Sequence, residues 1–215
     1  MSTFATYNTL IEQKIANTSE TFFDTEMKRQ AANDTVKEIL QEYDVPEMII
    51  RATQTFASGI GTKPATYFRM VKLWATDSAG VETNEYKFLP PADFDAKAAT
   101  DGYFWTEDYN VSAAAFRLLL RPTSVTSLNI RYIKQPTEMT SDSIDSGLAS
   151  SWDEATALGV ATKLFQIAKM YKEAQEIERL YRAKKAEVYL AVKNVGGIKE
   201  NNRLRSKYER MNLLN

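Results

Sequence analysis

The chain has 215 residues, 44% hydrophobic and 26% charged, enough to bury a core of its own. Its 27 basic and 28 acidic side chains leave a net charge of −1, which excludes a global pull towards nucleic acid or anionic membrane. Cysteine and histidine are both absent, so disulfides, thiolate nucleophiles, thiolate-bound metals and the commonest general base are excluded. The expectation is a non-catalytic protein without metal or cofactor.

Residues 6 to 15 have the spacing of a short amphipathic helix, with Tyr7, Leu10, Ile11 and Ile15 on one face and Thr6 as N-cap. Ala16 to Glu20 is a polar joint. A second helix is expected from near Asp24, carrying Met27, Ala31, Val36, Ile39, Leu40 and Tyr43 until Pro46 ends it. The first is too short to be stable alone and the second is marginal, so both apolar faces need a partner.

From Ile49 to Pro136 the residues become β-branched and aromatic, punctuated by turn formers. Six strands are expected: Arg51 to Ala57, Tyr67 to Thr76, Glu85 to Leu89, Tyr103 to Glu107, Ala115 to Arg121 and Ser127 to Gln135. Gly59-Ile60-Gly61-Thr62 reads as a flexible turn and Asp77-Ser78-Ala79-Gly80 as a hairpin turn. Ser127 to Tyr132 alternates, with Leu128, Ile130 and Tyr132 on one face, and Ile133-Lys134 reverses the pattern, predicting a bulge or strand end. Tyr103, Phe104, Trp105 and Tyr109 are expected in the sheet core or, alternatively, as a contact patch for another protein or a sugar. The acids Glu82, Glu85, Asp93, Asp95, Asp101, Glu107 and Asp108 include pairs with glycosidase-like spacing, but loops at strand ends are often acidic.

Thr137 to Ser150 is a polar loop leading to a long helical stretch, Ser151 to Val195. Ser151-Trp152-Asp153-Glu154 fits a capping box, and Gly196-Gly197 is a stop signal. Continuous, this element would span roughly 65 Å at about 1.5 Å per residue, wider than a compact domain of this size. It is therefore expected to break around Met170 to Lys172 or to project beyond the body. Ile198 to Asn215 follows as an extended arm with five basic and two acidic residues, a local charge of +3. The fold expected is α+β: a discontinuous helical domain, 1–46 with 140–197, an inserted antiparallel β-sheet or sandwich over 47–139, and the arm, 198–215. No apolar run approaches the ~20 residues that span a bilayer, and no signal-peptide pattern opens the chain, so a soluble protein made in the cytoplasm is expected.

Several pieces, in order, carry a resemblance. They are Thr6-Tyr7-Asn8-Thr9-Leu10-Ile11; Met27-Lys28-Arg29-Gln30-Ala31-Ala32-Asn33; Leu89-Pro90 followed by Asp93-Phe94; Leu118-Leu119-Leu120-Arg121-Pro122; Ile130-Arg131-Tyr132-Ile133-Lys134-Gln135-Pro136; and the alanine-bearing helix from Trp152, with Ala174 and Tyr181 beyond. Together they resemble the head-to-tail connector (portal adaptor) proteins of tailed bacteriophages.

The resemblance implies a virion structural protein at the neck, made in the bacterial host cytoplasm and assembled as a homo-oligomeric ring, commonly of twelve copies, beneath the portal. Its partners would be the portal protein, a tail nozzle, hub or next neck-ring protein, and further copies of itself. The ring would surround the DNA exit channel, close to packaged DNA. The segment gripping the portal would be the arm, through Lys199, Arg203, Leu204, Arg205, Lys207, Tyr208 and Arg210. Ordering such an arm only on docking suits a contact that wraps its partner. The alternatives are another neck ring, a head-closure or tail-terminator protein, and a non-viral β-module that binds glycan or protein.

Overall fold

The computed structural model describes residues 2–15, 23–98, 100–110 and 115–195. The Ala16–Glu20 joint, Gly196-Gly197 and the Ile198–Asn215 arm lie outside the described residues. The architecture is α+β, with five helices and two four-stranded sheets among the described residues.

The helices are α1 (Phe4–Ile15), α2 (Thr25–Glu42), α3 (Pro91–Asp95), α4 (Asp153–Ile167) and α5 (Tyr171–Val195). Helix α1 begins two residues before the expected start, because the Thr3 carbonyl already accepts from the amides of Thr6 and Tyr7. Helix α2 starts as expected: the Asp24 carboxylate accepts from the Met27 amide at 2.8 Å. The expected capping box at Ser151 does not form. Ser150–Trp152 is a 3-10 turn, and Glu154 pairs instead with Lys14 at 3.5 Å and Lys184 at 3.1 Å.

Helix α4 is buried almost all round, from Ala155 to Thr162 and again at Leu164 and Phe165. Helices α1, α2 and α5 all pack on it. Its small residues permit close approach: a Cβ on Gly159 would sit 2.5 Å from Thr35 Cγ2 and 2.9 Å from the Tyr181 ring. The long helical stretch breaks at 168–170, two residues earlier than expected. Lys169 adopts φ 60°, the Met170 amide donates to the Phe165 carbonyl and the Lys169 amide to Gln166. These are the two bonds of a Schellman motif, here with lysine in the left-handed position usually given to glycine. The break turns α5 back along α4, so Glu154 at the start of one meets Lys184 in the middle of the other. At 25 residues α5 outruns the 15 of α4, and its last turns lie over the β region, where Tyr189 and Val192 share a shallow groove with Pro46, Ile49 and Val71.

The strands are β1 (Ile49–Thr55), β2 (Ile60–Thr62), β3 (Tyr67–Thr76), β4 (Glu82–Glu85), β5 (Lys87–Phe88), β6 (Phe104–Asn110), β7 (Ala115–Arg121) and β8 (Ser127–Lys134). One sheet has the order β1-β8-β3-β4, the other β2-β7-β6-β5. Phe56, Leu73, Tyr86, Trp105, Leu118, Leu120, Leu128, Ile130 and Tyr132 form the core of the sandwich. A second core joins α1, α2, α4 and α5 and includes one strand residue, Ile133.

Three strand expectations need correction. Gly59-Ile60-Gly61-Thr62 is not only a turn: Ile60–Thr62 pairs with Leu119–Arg117, and a Cβ on Gly61 would lie 2.6 Å from the Phe56 ring. Glu85 to Leu89 is not one strand: buried Tyr86 divides β4 of the first sheet from β5 of the second, which runs parallel to β6. The bulges expected near Ile133 fall on the partner, where Phe68 and Val71 are the extra residues of β3. Strand β8 alternates strictly through Ile133. That side chain is apolar because the outer face of the sheet is covered by helices at this end. The Asp77–Gly80 turn is as expected, with Asp77 Oδ1 accepting from the amides of Ala79 and Val81.

Candidate interaction surfaces

The four aromatics are not one patch: the pleat sets Phe104 against Trp105 and Tyr109, which share the other face of β6 but differ in burial. Trp105 is 7% exposed and packs into the sandwich, with the Phe88 ring edge-on at 4.9 Å. Phe104 points to the opposite face, with Lys97 Nζ 6.0 Å from its ring centroid. Tyr103 lies edge-on to Tyr86 at 5.3 Å. Burial, then the neighbouring Tyr103, pushes the Tyr86 phenol up to about 12. Tyr109 is exposed and forms an edge-on pair with exposed Phe116 across the β6–β7 hairpin, centroids 5.0 Å apart.

That pair belongs to a cluster that strand patterning did not single out. Lys63 Nζ lies 4.7 Å from the ring centroids of both Phe116 and Tyr67, and 2.5 Å from a Glu107 carboxylate oxygen. The Tyr67 hydroxyl donates to the other oxygen of Glu107. Burial, then the Glu107 carboxylate, holds the Tyr67 phenol well above its ordinary value. The charges are matched within the cluster, so what it offers outward is the aromatic pair Tyr109 and Phe116. Only the tertiary fold brings Lys63, before β3, to Glu107 in β6.

Of the other acids, Glu82 and Glu85 pair with Lys72 and Asp108 with Arg117 at 2.6 Å, while Asp101 accepts from the Ala98 amide at 3.0 Å. Among the described residues no group of three potential metal ligands comes together, and no helix is long and apolar enough to cross a membrane. The arm residues Lys199, Arg203, Leu204, Arg205, Lys207, Tyr208 and Arg210 lie outside the described residues.

Several quoted motifs are joints of the fold. Asn33, closing the α2 motif, bonds Met139 in both directions: its Oδ1 accepts from the Met139 amide at 2.8 Å and its Nδ2 donates to the Met139 carbonyl at 3.4 Å. Phe94 is buried, its carbonyl accepts from Arg121 Nε at 3.3 Å, and the guanidinium lies 5.0 Å from its ring centroid. The Asp-Phe and Arg-Pro pieces therefore meet. Arg69 ties β3 to the end of α2, donating to the Leu40 carbonyl at 2.6 Å and pairing with Asp44 at 2.7 Å.

No family model matches the chain, and no curated protein matches it.

Proposed function

We propose that the chain is a head-to-tail adaptor of a tailed bacteriophage, a ring protein beneath the portal that bridges portal and tail around the DNA exit channel. In this reading both ends of the chain contribute to one helical body around α4, the sandwich is an insertion, and the arm from Ile198 grips the portal.

The observation that supports it most is the correspondence between the motif order and the joints of the fold. Asn33 links α2 to the return from the sandwich, and Phe94 with Arg121 closes the outside of the second sheet. The matched charges around Lys63 and Glu107, with two rings exposed beside them, suit a contact surface rather than a reaction centre.

The test is native mass spectrometry of the full chain mixed with the portal protein from its own genome. A portal-dependent complex carrying a fixed whole number of copies, lost on deletion of 198–215, is the expected result. A fixed-number ring that survives the deletion would favour a head-closure or tail-terminator ring, and no complex at micromolar concentration would remove the neck assignment.

A further inference from the structure

The two edges of the first sheet differ in a way that bears on how copies meet. Strand β1 is seven residues long, among the described residues pairs only with β8, and contains one charged residue, Arg51. The Phe56 amide donates to the Thr126 carbonyl, continuing the β1–β8 ladder. By the antiparallel alternation, Ile50, Ala52 and Gln54 exchange backbone bonds with β8, and Arg51, Thr53 and Thr55 turn theirs outward. Such an edge is a template for another strand unless it is covered or blunted.

The opposite edge is β4, four residues with Thr83-Asn84 bulged opposite Ala75. It is acidic: Glu82 and Glu85 share the single ammonium of Lys72, a net charge of −1. Arg51 is exposed and has no acidic partner among the described residues. Arg51 stands opposite Arg131, which stands opposite Lys72, while Glu85 stands opposite Trp74 and Glu82 opposite Thr76. All these side chains therefore occupy one face of the sheet.

We infer that β1 of one copy docks antiparallel on β4 of the next, placing Arg51 beside Glu82 and Glu85. The sheet order supplies the direction: four antiparallel strands make β4 run opposite to β1, so copies related by a rotation present antiparallel edges. The acidic edge admits a basic strand and repels an acidic one. The contact is heterologous, joining two different patches, which generates a ring where the rotation closes. The bulge keeps the join short, so its ionic part is sensitive to salt. This inference rests on the ring reading and names the surfaces that make the ring.

The chain contains no cysteine, so Ala52→Cys and Thr83→Cys, which share the sandwich face of the joined sheet, introduce its only thiols. The variants are mixed with the portal protein from the same genome, oxidised and examined on non-reducing gels beside native mass spectra. The double variant is expected to give a ladder of covalent multimers, and each single variant none. Arg51→Glu is expected to lower the assembled fraction at least tenfold, and Glu85→Arg in the same chain to restore it. A fixed-number ring without a ladder overturns the inference and leaves the ring reading standing. A dimer from Ala52→Cys alone overturns it in favour of β1 pairing with β1. Failure of the unmodified chain to form any multimer with the portal removes the ring reading and the inference together.

Discussion

Lys185 Nζ lies 2.7 Å from Glu42 Oε2, and the lysine is 3% exposed. The same ammonium reaches Glu38 at 3.2 Å and stands 4.2 Å from the Tyr181 ring centroid, joining α5 to α2. A desolvated lysine held by two carboxylates depends on those partners. The carboxylates depend less on the lysine, since each side chain is about a third exposed. Lys185→Ala is therefore expected to destabilise by about 1–3 kcal/mol, below the cost of breaking a fully buried pair. Lys185→Met, which keeps the packed stem, should lose less. Urea unfolding midpoints at constant slope measure both. A Lys185→Ala midpoint equal to wild type would refute the role given to this pair.

Burial raises the pKa of Glu38, but hydrogen bonds and charges from Lys163 and Lys185 outweigh it and hold the carboxyl below its ordinary range. A depressed folded-state pKa means that the unfolded chain binds the proton first on acidification. The resulting stability is present in full above the unfolded value, about 4.3, and is lost as pH falls through the folded value. Glu38→Gln should therefore lower Tm at pH 7 and make its fall between about pH 5 and 3 shallower than in wild type. Parallel acid limbs in calorimetric scans of the two proteins would contradict this.

Gly159→Ala brings two effects of opposite sign. Alanine favours the helix by about 1 kcal/mol, but its Cβ would lie 2.5 Å from Thr35 Cγ2 and 2.9 Å from the Tyr181 ring. Overpacking of this kind costs about 1–3 kcal/mol, so the net effect is destabilising. Thr35→Ser removes the nearest methyl and should recover part of the loss in the double variant. A double-mutant cycle by urea unfolding reads the coupling.

At Lys169 the same logic reverses. A left-handed backbone at a non-glycine residue costs about 1–2 kcal/mol, and glycine removes that strain while adding freedom to the unfolded chain. Lys169→Gly should thus raise stability by roughly 0.5–1 kcal/mol. Lys169→Val should lower it, because a β-branched side chain resists positive φ. Thermal melts of the pair decide this by their order alone.

Trp105 and Tyr109 occupy one strand but different environments, 7% and 47% exposed. Trp105→Ala should cost about 3–5 kcal/mol through the cavity it leaves. Tyr109→Ala should remain within about 1 kcal/mol of wild type, losing only an exposed ring pair. If Tyr109 contributes to a partner surface, its variant keeps wild-type stability and loses affinity for that partner in pull-down titrations with tail proteins. Comparable destabilisation by the two variants would remove the distinction between core and surface.

Local chemistry was readable from the residues wherever it was itself decisive. Asp24 caps α2, the bounds of β3 and β7 follow from their composition, and Asp77 shapes its turn. Ser151 had the letters of a cap, but the chain enters α4 through a 3-10 turn that gives its hydroxyl no such role. Length and a polar step in the periodicity put the break of the long C-terminal stretch within two residues of its place, but lysine in the left-handed region at 169 has no sequence signal comparable to glycine, so the exact residue was not legible.

What the residues determined by themselves was the class: an α+β chain, apolar at helical spacing near both ends and β-branched in the middle, because propensity and periodicity act over a few neighbours. Only the tertiary structure decided which strands share a sheet, because pairing depends on partners far along the chain. Tyr86 sends β4 and β5 to different sheets, and Ile60–Thr62 becomes a strand by meeting Leu119–Arg117. It also decided which charges are buried. Lys185 resembles its exposed neighbours in the sequence, and its position follows from the break at Lys169, which turns α5 back onto α4 and α2.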